Sequence, residues 1–164
     1  MRTRVARIES RPVHLDVQRR VRAWAPRNAE FARWAAAALG RRGANREVAV
    51  RVVGPAESRR LNAHYRGKDQ PTNVLSFPAA AQPAAAEAAA VPLGDLVICV
   101  QVVRTEAQAQ GKPLRAHWAH LVVHGVLHLL GYDHESEPDA RRMERREISV
   151  LRALGFANPY RSIR

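Results

Sequence analysis

At 164 residues, 46% hydrophobic and 26% charged, the chain has the size and balance of one globular domain, long enough for a real core and short for two. Its single cysteine, Cys99, excludes a disulfide framework and any thiolate metal cluster, and no stretch approaches the ~18 uninterrupted apolar residues of a membrane helix. A formal net charge of +12 suits a polyanionic partner, nucleic acid foremost, because a G+C-rich coding bias explains why only Lys68 and Lys112 are lysines but not why acids are scarce.

The opening MRTRVARIES is charged but has no apolar segment behind it, so it does not read as a secretory signal, and a cytoplasmic location is expected. Residues 1–11 read as a basic, poorly ordered extension ahead of one domain over 12–160. PVHLDVQ (12–18) alternates Val13, Leu15 and Val17 with polar neighbours, the period-2 pattern of a half-buried strand. A helix follows from near Pro26, with Phe31, Trp34, Ala35 and Ala38 on one face and Gly40 as its C-cap. REVAVRVVG (46–54) is a second strand with Val48, Val50 and Val52 on one side; Gly54 and Pro55 then open a helix to Tyr65. NVLSF (73–77) reads as a third strand, closed by Pro78. The alanine-rich run 79–92, broken by prolines, reads as a flexible loop or in part a short helix, without chemistry of its own. GDLVICV (94–100) suits a central strand in which Cys99 is a small buried side chain. A helix over 101–110 is stopped by Gly111, Lys112 and Pro113, and 114–130 forms the longest apolar helix. Ser136 and Asp139 resemble a capping box for a last helix to about Leu154, with Met143, Val150, Leu151 and Leu154 inward. The order β-α-β-α-β-β-α-α-α predicts an α/β domain, a small mixed sheet of about four strands with helices packed on it.

HGVLHLLGYDH (124–134) carries the chemistry. His124 and His128, four apart on the long helix, lie one turn apart on one face, the separation two imidazoles need to share a metal ion. Gly131 ends the helix and lets the backbone return His134 as a third ligand. Three protein ligands on zinc leave a fourth position open, the catalytic rather than the structural pattern, which puts a zinc site, one ion per monomer, at the end of the long central helix. The same spacing occurs in metzincin proteases, but there a glutamate follows the first histidine as the base; here that residue is Gly125, which cannot accept a proton. His120, one turn earlier, either sits beside the site or merely packs, and His117 reads as exposed. Asp133 either orients a ligand histidine or caps the turn. His14 and His64 have no partner spacing and receive no role.

YRGKDQPTNVLSFP (65–78) supplies cations: Arg66 offers phosphate a planar fork and Lys68 a point charge. Together with GDLVICV and HGVLHLLGYDH, this stretch resembles the YbeY family of bacterial rRNA-maturation endoribonucleases, from about Val48 to Tyr160 and including LGFANPY. The resemblance implies that His124, His128 and His134 are zinc ligands, that Arg66 is catalytically important, and that Lys68 is its basic neighbour. It further implies single-metal cleavage of RNA in small-subunit rRNA 3′-end processing and ribosome quality control, with precursor rRNA and the small subunit as partners and no membrane. The basic extension Met1 to Arg11 and the alanine-rich insert after Pro78 depart from the family pattern without touching the motifs.

Two other readings stand beside the endoribonuclease. In one, the chain is a non-catalytic ribosome-assembly factor in which zinc staples the last two helices and Arg66 only binds phosphate. In the other it is an unusual metalloprotease. The open ligand position favours the nuclease over the scaffold; Gly125 and the basic balance count against the protease.

Overall fold

Stretches in which branched apolar side chains alternate with polar ones become the strands of a single sheet. In the computed structural model, residues 13–43, 45–80 and 90–161 are described; expectations for the 1–11 extension and for 81–89 of the alanine-rich run lie outside them. The strands are β1 (His14–Arg19), β2 (Arg46–Val53), β3 (Val74–Pro78) and β4 (Val91–Cys99). The helices are α1 (Asn28–Leu39), α2 (Pro55–Arg66), α3 (Val100–Gln110), α4 (Leu114–Leu129) and α5 (Glu137–Ala153). Sheet order is β1-β2-β4-β3, with β1, β2 and β4 parallel and β3 antiparallel on the edge beside β4. The expected small mixed sheet with helices on it is the observed one.

Helices cover both faces. Val48, Val50, Val52, Leu96 and Ile98 face the main core, built with side chains of α1, α4 and α5. Val53, Leu75, Val97 and Cys99 face the other way, against Leu61 of α2 and Val102 of α3. Parallel strands covered on both sides need near-continuous apolar runs, which β4 supplies. Phe31 meets Trp34 and Trp118 edge-on at centroid distances of 6.2 and 5.9 Å, and Trp34 meets Phe156 at 6.0 Å. These contacts lock α1 against α4 and against the segment that follows α5.

Local signals behave as their chemistry requires. Gly40 is the C-cap of α1, and Ser136 caps α5 by accepting the Asp139 N–H at 3.2 Å. Two expectations change. β4 starts at Val91, inside the run read as a loop, because the Val91 N–H reaches the Asn45 carbonyl at 2.8 Å. The Ala79 N–H likewise bonds the Leu93 carbonyl at 3.0 Å, so both flanks of the alanine-rich run are tied into the sheet region. His117, expected to be exposed, is 4% exposed, because α3 packs over that face of α4.

α4 is buried along most of its surface, as expected of a helix apolar nearly all round. Gly125 is where it approaches the sheet. A Cβ there would lie 2.7 Å from Leu96 Cδ2 and 3.3 Å from Ser76 Oγ, and the Ser76 hydroxyl donates to the Gly125 carbonyl at 3.3 Å. A side chain at 125 would therefore point into the sheet rather than towards the histidines. Gly125→Ala should lose stability modestly, overpacking of about 1–3 kcal/mol being partly offset by about 1 kcal/mol of helix propensity. Gly125→Glu should lose on the order of 3 kcal/mol or more, a drop of roughly 10 °C in melting temperature, because it forces a carboxylate against Leu96. A Gly125→Glu protein that melts with the wild type would show this orientation to be wrong.

Candidate metal centre

The i, i+4 spacing places His124 and His128 on adjacent turns at the end of α4, and their Nε2 atoms face each other at 3.1 Å. Two ligands on a tetrahedral zinc, at 2.0–2.1 Å each, lie roughly 3.3 Å apart, so this is the separation a shared ion needs. After Leu129 the backbone turns at Gly131, whose φ of +96° favours glycine, while the Tyr132 N–H closes on the Leu127 carbonyl at 3.0 Å. The turn returns His134, whose ring stacks on that of His124 at 5.8 Å and meets that of His128 edge-on at 4.9 Å. The ligand atoms of all three lie within 4.8 Å of one another. Asp133 accepts the His134 N–H at 2.7 Å, so it fixes the backbone of the turn.

What orients the pair comes from another helix. Glu147 of α5, 1% exposed, takes His124 Nδ1 at 2.6 Å through Oε1. A carboxylate there holds the imidazole proton on Nδ1 and leaves Nε2 as a lone pair aimed at the ion position. The other oxygen, Oε2, accepts from His120 Nε2 at 2.8 Å and from the Tyr160 hydroxyl. Burial alone would raise the Glu147 pKa, but the hydrogen bonds from His120, His124 and the Tyr160 hydroxyl outweigh it and hold the carboxyl at about 2. Burial, and then the same contact with Glu147, push the Tyr160 phenol upwards. For His128, burial together with the pressure of His124 and His134 drives the pKa down to about 4, so its ring is a neutral donor at pH 7. The residues therefore fit a metal: three convergent imidazoles, one already fixed in the ligating tautomer.

His120 thus sits beside the site. His120, His124 and Glu147 also form a cluster able to hold an ion. Contacts of 2.6 and 2.8 Å, however, are hydrogen bonds, shorter than two ligands of one ion allow. His117 belongs to a different contact: its Nε2 meets Glu106 at 2.8 Å, and burial lowers its pKa despite that carboxylate. His14 and His64 are exposed and remote from the cluster in sequence and in ring contacts.

Arg66 and Lys68 stand elsewhere. Arg66 is the last residue of α2, Gly67 caps the helix in the left-handed region, and both cations are exposed. The loop beyond is braced: Arg59 grips Asp69 through two hydrogen bonds of 2.7 and 2.9 Å, and Asn62 donates to the Gln70 carbonyl at 2.8 Å. Among the described residues neither the Arg66 nor the Lys68 side chain has a hydrogen-bond or ion-pair partner, and no contact joins them to the histidines. Sequence reasoning missed Glu147 and Tyr160. A signal existed for the first: Glu147 occupies the stripe of Met143, Val150 and Leu151, where a charge is out of place.

Replacing Glu147 with glutamine, which keeps the shape but removes the charge, should weaken zinc affinity about 10–100-fold in a competitive chelator titration. His128→Ala should abolish stoichiometric binding and lower the melting temperature of the metal-loaded protein, since binding energy is also folding energy. Unchanged affinity in Glu147→Gln would remove Glu147 from the site.

Comparison with known proteins bears on this geometry. The family model for Endoribonuclease YbeY matches residues 13–155. Proteins named Endoribonuclease YbeY from Alkalilimnicola ehrlichii and Methylococcus capsulatus are similar to the chain. The first is 58% identical over 85% of this chain and 85% of the relative, the second 53% identical over 93% and 98%. The solution structure of TM1509 from Thermotoga maritima, 20% identical, covers 90% of this chain and 99% of its own with a TM-score of 0.53, a likeness of fold. With the family model matching most of its length and two relatives above half identity, the chain belongs to the YbeY endoribonuclease family.

Proposed function

We propose that the chain is a zinc-dependent endoribonuclease that acts in rRNA maturation, at the 3′ end of small-subunit rRNA, and in ribosome quality control in the cytoplasm. Its partners in this reading are precursor rRNA and the small ribosomal subunit, and it holds one zinc per monomer. One observation carries the hydrolytic reading: His124 Nδ1 is tied to a buried carboxylate while its Nε2 faces His128 Nε2 at 3.1 Å. The relatives' shared name supplies RNA as the substrate class, and the net charge of +12 suits that polyanion.

A divalent cation held by His124, His128 and His134 would supply Lewis-acid polarisation of a phosphoryl oxygen and acidification of water. The chain's own groups do the rest. Glu147 holds His124 in register, and Gly131 delivers His134. Arg66, exposed at the end of a capped helix and unpaired among the described residues, is the group assigned to the charge that develops on the phosphoryl oxygens, with Lys68 beside it binding phosphate. Protease chemistry of the metzincin kind has no base here, since position 125 faces Leu96.

RNA cleavage by the purified protein tests this reading. Wild type should cut single-stranded RNA, lose the activity to a chelator and regain it with zinc; His128→Ala should be inactive. Arg66→Ala should keep zinc, fold and most RNA affinity while losing cleavage by roughly a hundredfold, on the order of 3 kcal/mol. Arg66→Lys should rescue poorly, a point charge lacking the two-pronged contact. RNA affinity should fall steeply with salt. Wild-type protein that binds RNA without cutting it, with Arg66→Ala defective in binding instead, would make the chain a scaffold.

A further inference from the structure

The ending LGFANPY, distinctive in sequence, has so far contributed Phe156 to the core and Tyr160 to the metal centre. It also forms one wall of a cavity of about 740 Å³ between the first half of α4, the end of α5 and residues 155–161. That volume is within the range of small-molecule pockets, roughly 300–1,000 Å³. Its chemistry is divided. Ile148, Phe156 and Pro159 give it an apolar interior, while Lys112, Arg115, Arg152 and Arg161 stand around it, and no carboxylate is among its lining residues. Arg115 is engaged by Glu30 at 3.3 Å, and Lys112 reaches the Pro159 carbonyl. Arg152 and Arg161 have no side-chain partner among the described residues and are exposed. His117 and His120 also line the cavity, and the Nδ1 atom of each is buried without a hydrogen-bond partner among the described residues.

We infer that this cavity is a nucleotide subsite: it takes one unpaired base of the RNA strand against Phe156 and Pro159, with the attached phosphate on Arg152 and Arg161. An apolar interior with two unpaired guanidinium forks at its mouth matches a base joined to a phosphate. Neither a bare anion nor an apolar side chain uses both halves. Position fits as well. Pro113, Ala116, His117 and His120 of the lining continue the α4 face that carries His124 and His128, so the cavity begins about one helical turn, 5.4 Å, from the first metal ligand. His120 belongs to both, since it lines the cavity and donates to the carboxylate that holds His124. A base seated there would set which phosphodiester lies at the metal. The sequence, which offers no recognisable base-stacking module, gains one from the fold. The inference rests on the endoribonuclease reading and deepens it by placing the strand.

Calorimetric titration of metal-loaded protein with AMP, and separately with inorganic phosphate, tests it. AMP should bind wild type, phosphate should bind at least about tenfold more weakly, and Arg152→Ala/Arg161→Ala should weaken AMP about tenfold or more. Ala116→Trp, which fills the cavity without altering charge, should weaken AMP to a similar degree. In RNA cleavage both variants should raise KM with kcat and zinc content retained. AMP that binds the variants as it binds wild type, or phosphate that binds as tightly as AMP, overturns the subsite. So does an absence of AMP binding at millimolar concentration. If AMP binds as expected while wild type cuts no RNA, the subsite stands and the catalytic reading fails. Should Ala116→Trp not fold, the double arginine variant alone decides.

Discussion

A carboxylate with almost no exposure to water is costly unless every lone pair is answered, and Glu147 is answered from three directions: two imidazoles of α4 and a phenol beyond α5. That arrangement fixes how α5 lies on α4 and where the chain goes afterwards, and through His124 it aims a lone pair at the point where the three histidines converge. Stability and chemistry are thus joined in one group. Buried ion–dipole networks add less net stability than their geometry suggests, but removing one partner leaves the others unpaired in a low-dielectric interior. The network is better understood as a device for uniqueness of geometry than as a source of folding energy.

The second constraint is the distance between α4 and the sheet. Where Gly125 meets Leu96 and Ser76, a helix carrying any side chain would have to stand further off. The histidine spacing shared with the metzincins is therefore compatible with two different environments at the residue after the first histidine. In one it must face the metal and act as a base; here it faces the sheet and must be absent. Spacing alone fixes the ligand geometry and says nothing about which groups surround it.

How much was legible from the chain follows from this. The convergence of the three histidines was readable because His124 and His128 lie on one helix and Gly131 announces the turn, all within local reach. The fold class was readable because β2 alternates along its length and the second half of β4, Leu96–Cys99, runs apolar. Glu147 was not, because its partner lies a helix away, and the surrounding ERREIS looks like an ordinary solvated face unless the interruption of the Met143–Val150 stripe is noticed. His117 was misplaced for the same reason. Nothing local shows that α3 would cover it, or that Glu106, which also takes the Asn73 amide, would be there to meet its ring. The start of β4 at Val91 depended on pairing with Asn45, a long-range event that alanine-rich composition conceals. Arg66 and Lys68 were singled out by motif, and the fold leaves them on a separate element from the histidines.

The order in which Glu147 collects its partners has a consequence for a nascent chain. His120 and His124 are synthesised first, Glu147 follows on α5, and Tyr160 comes later still. At roughly 5–20 residues per second the interval from His124 to Tyr160 is a few seconds of translation, during which the histidines of α4 exist without the network that aligns them. Until Tyr160 has emerged, a nascent chain therefore has no finished centre to direct at the RNA surrounding it, and competence arrives only once the residues that close the network are free to pair.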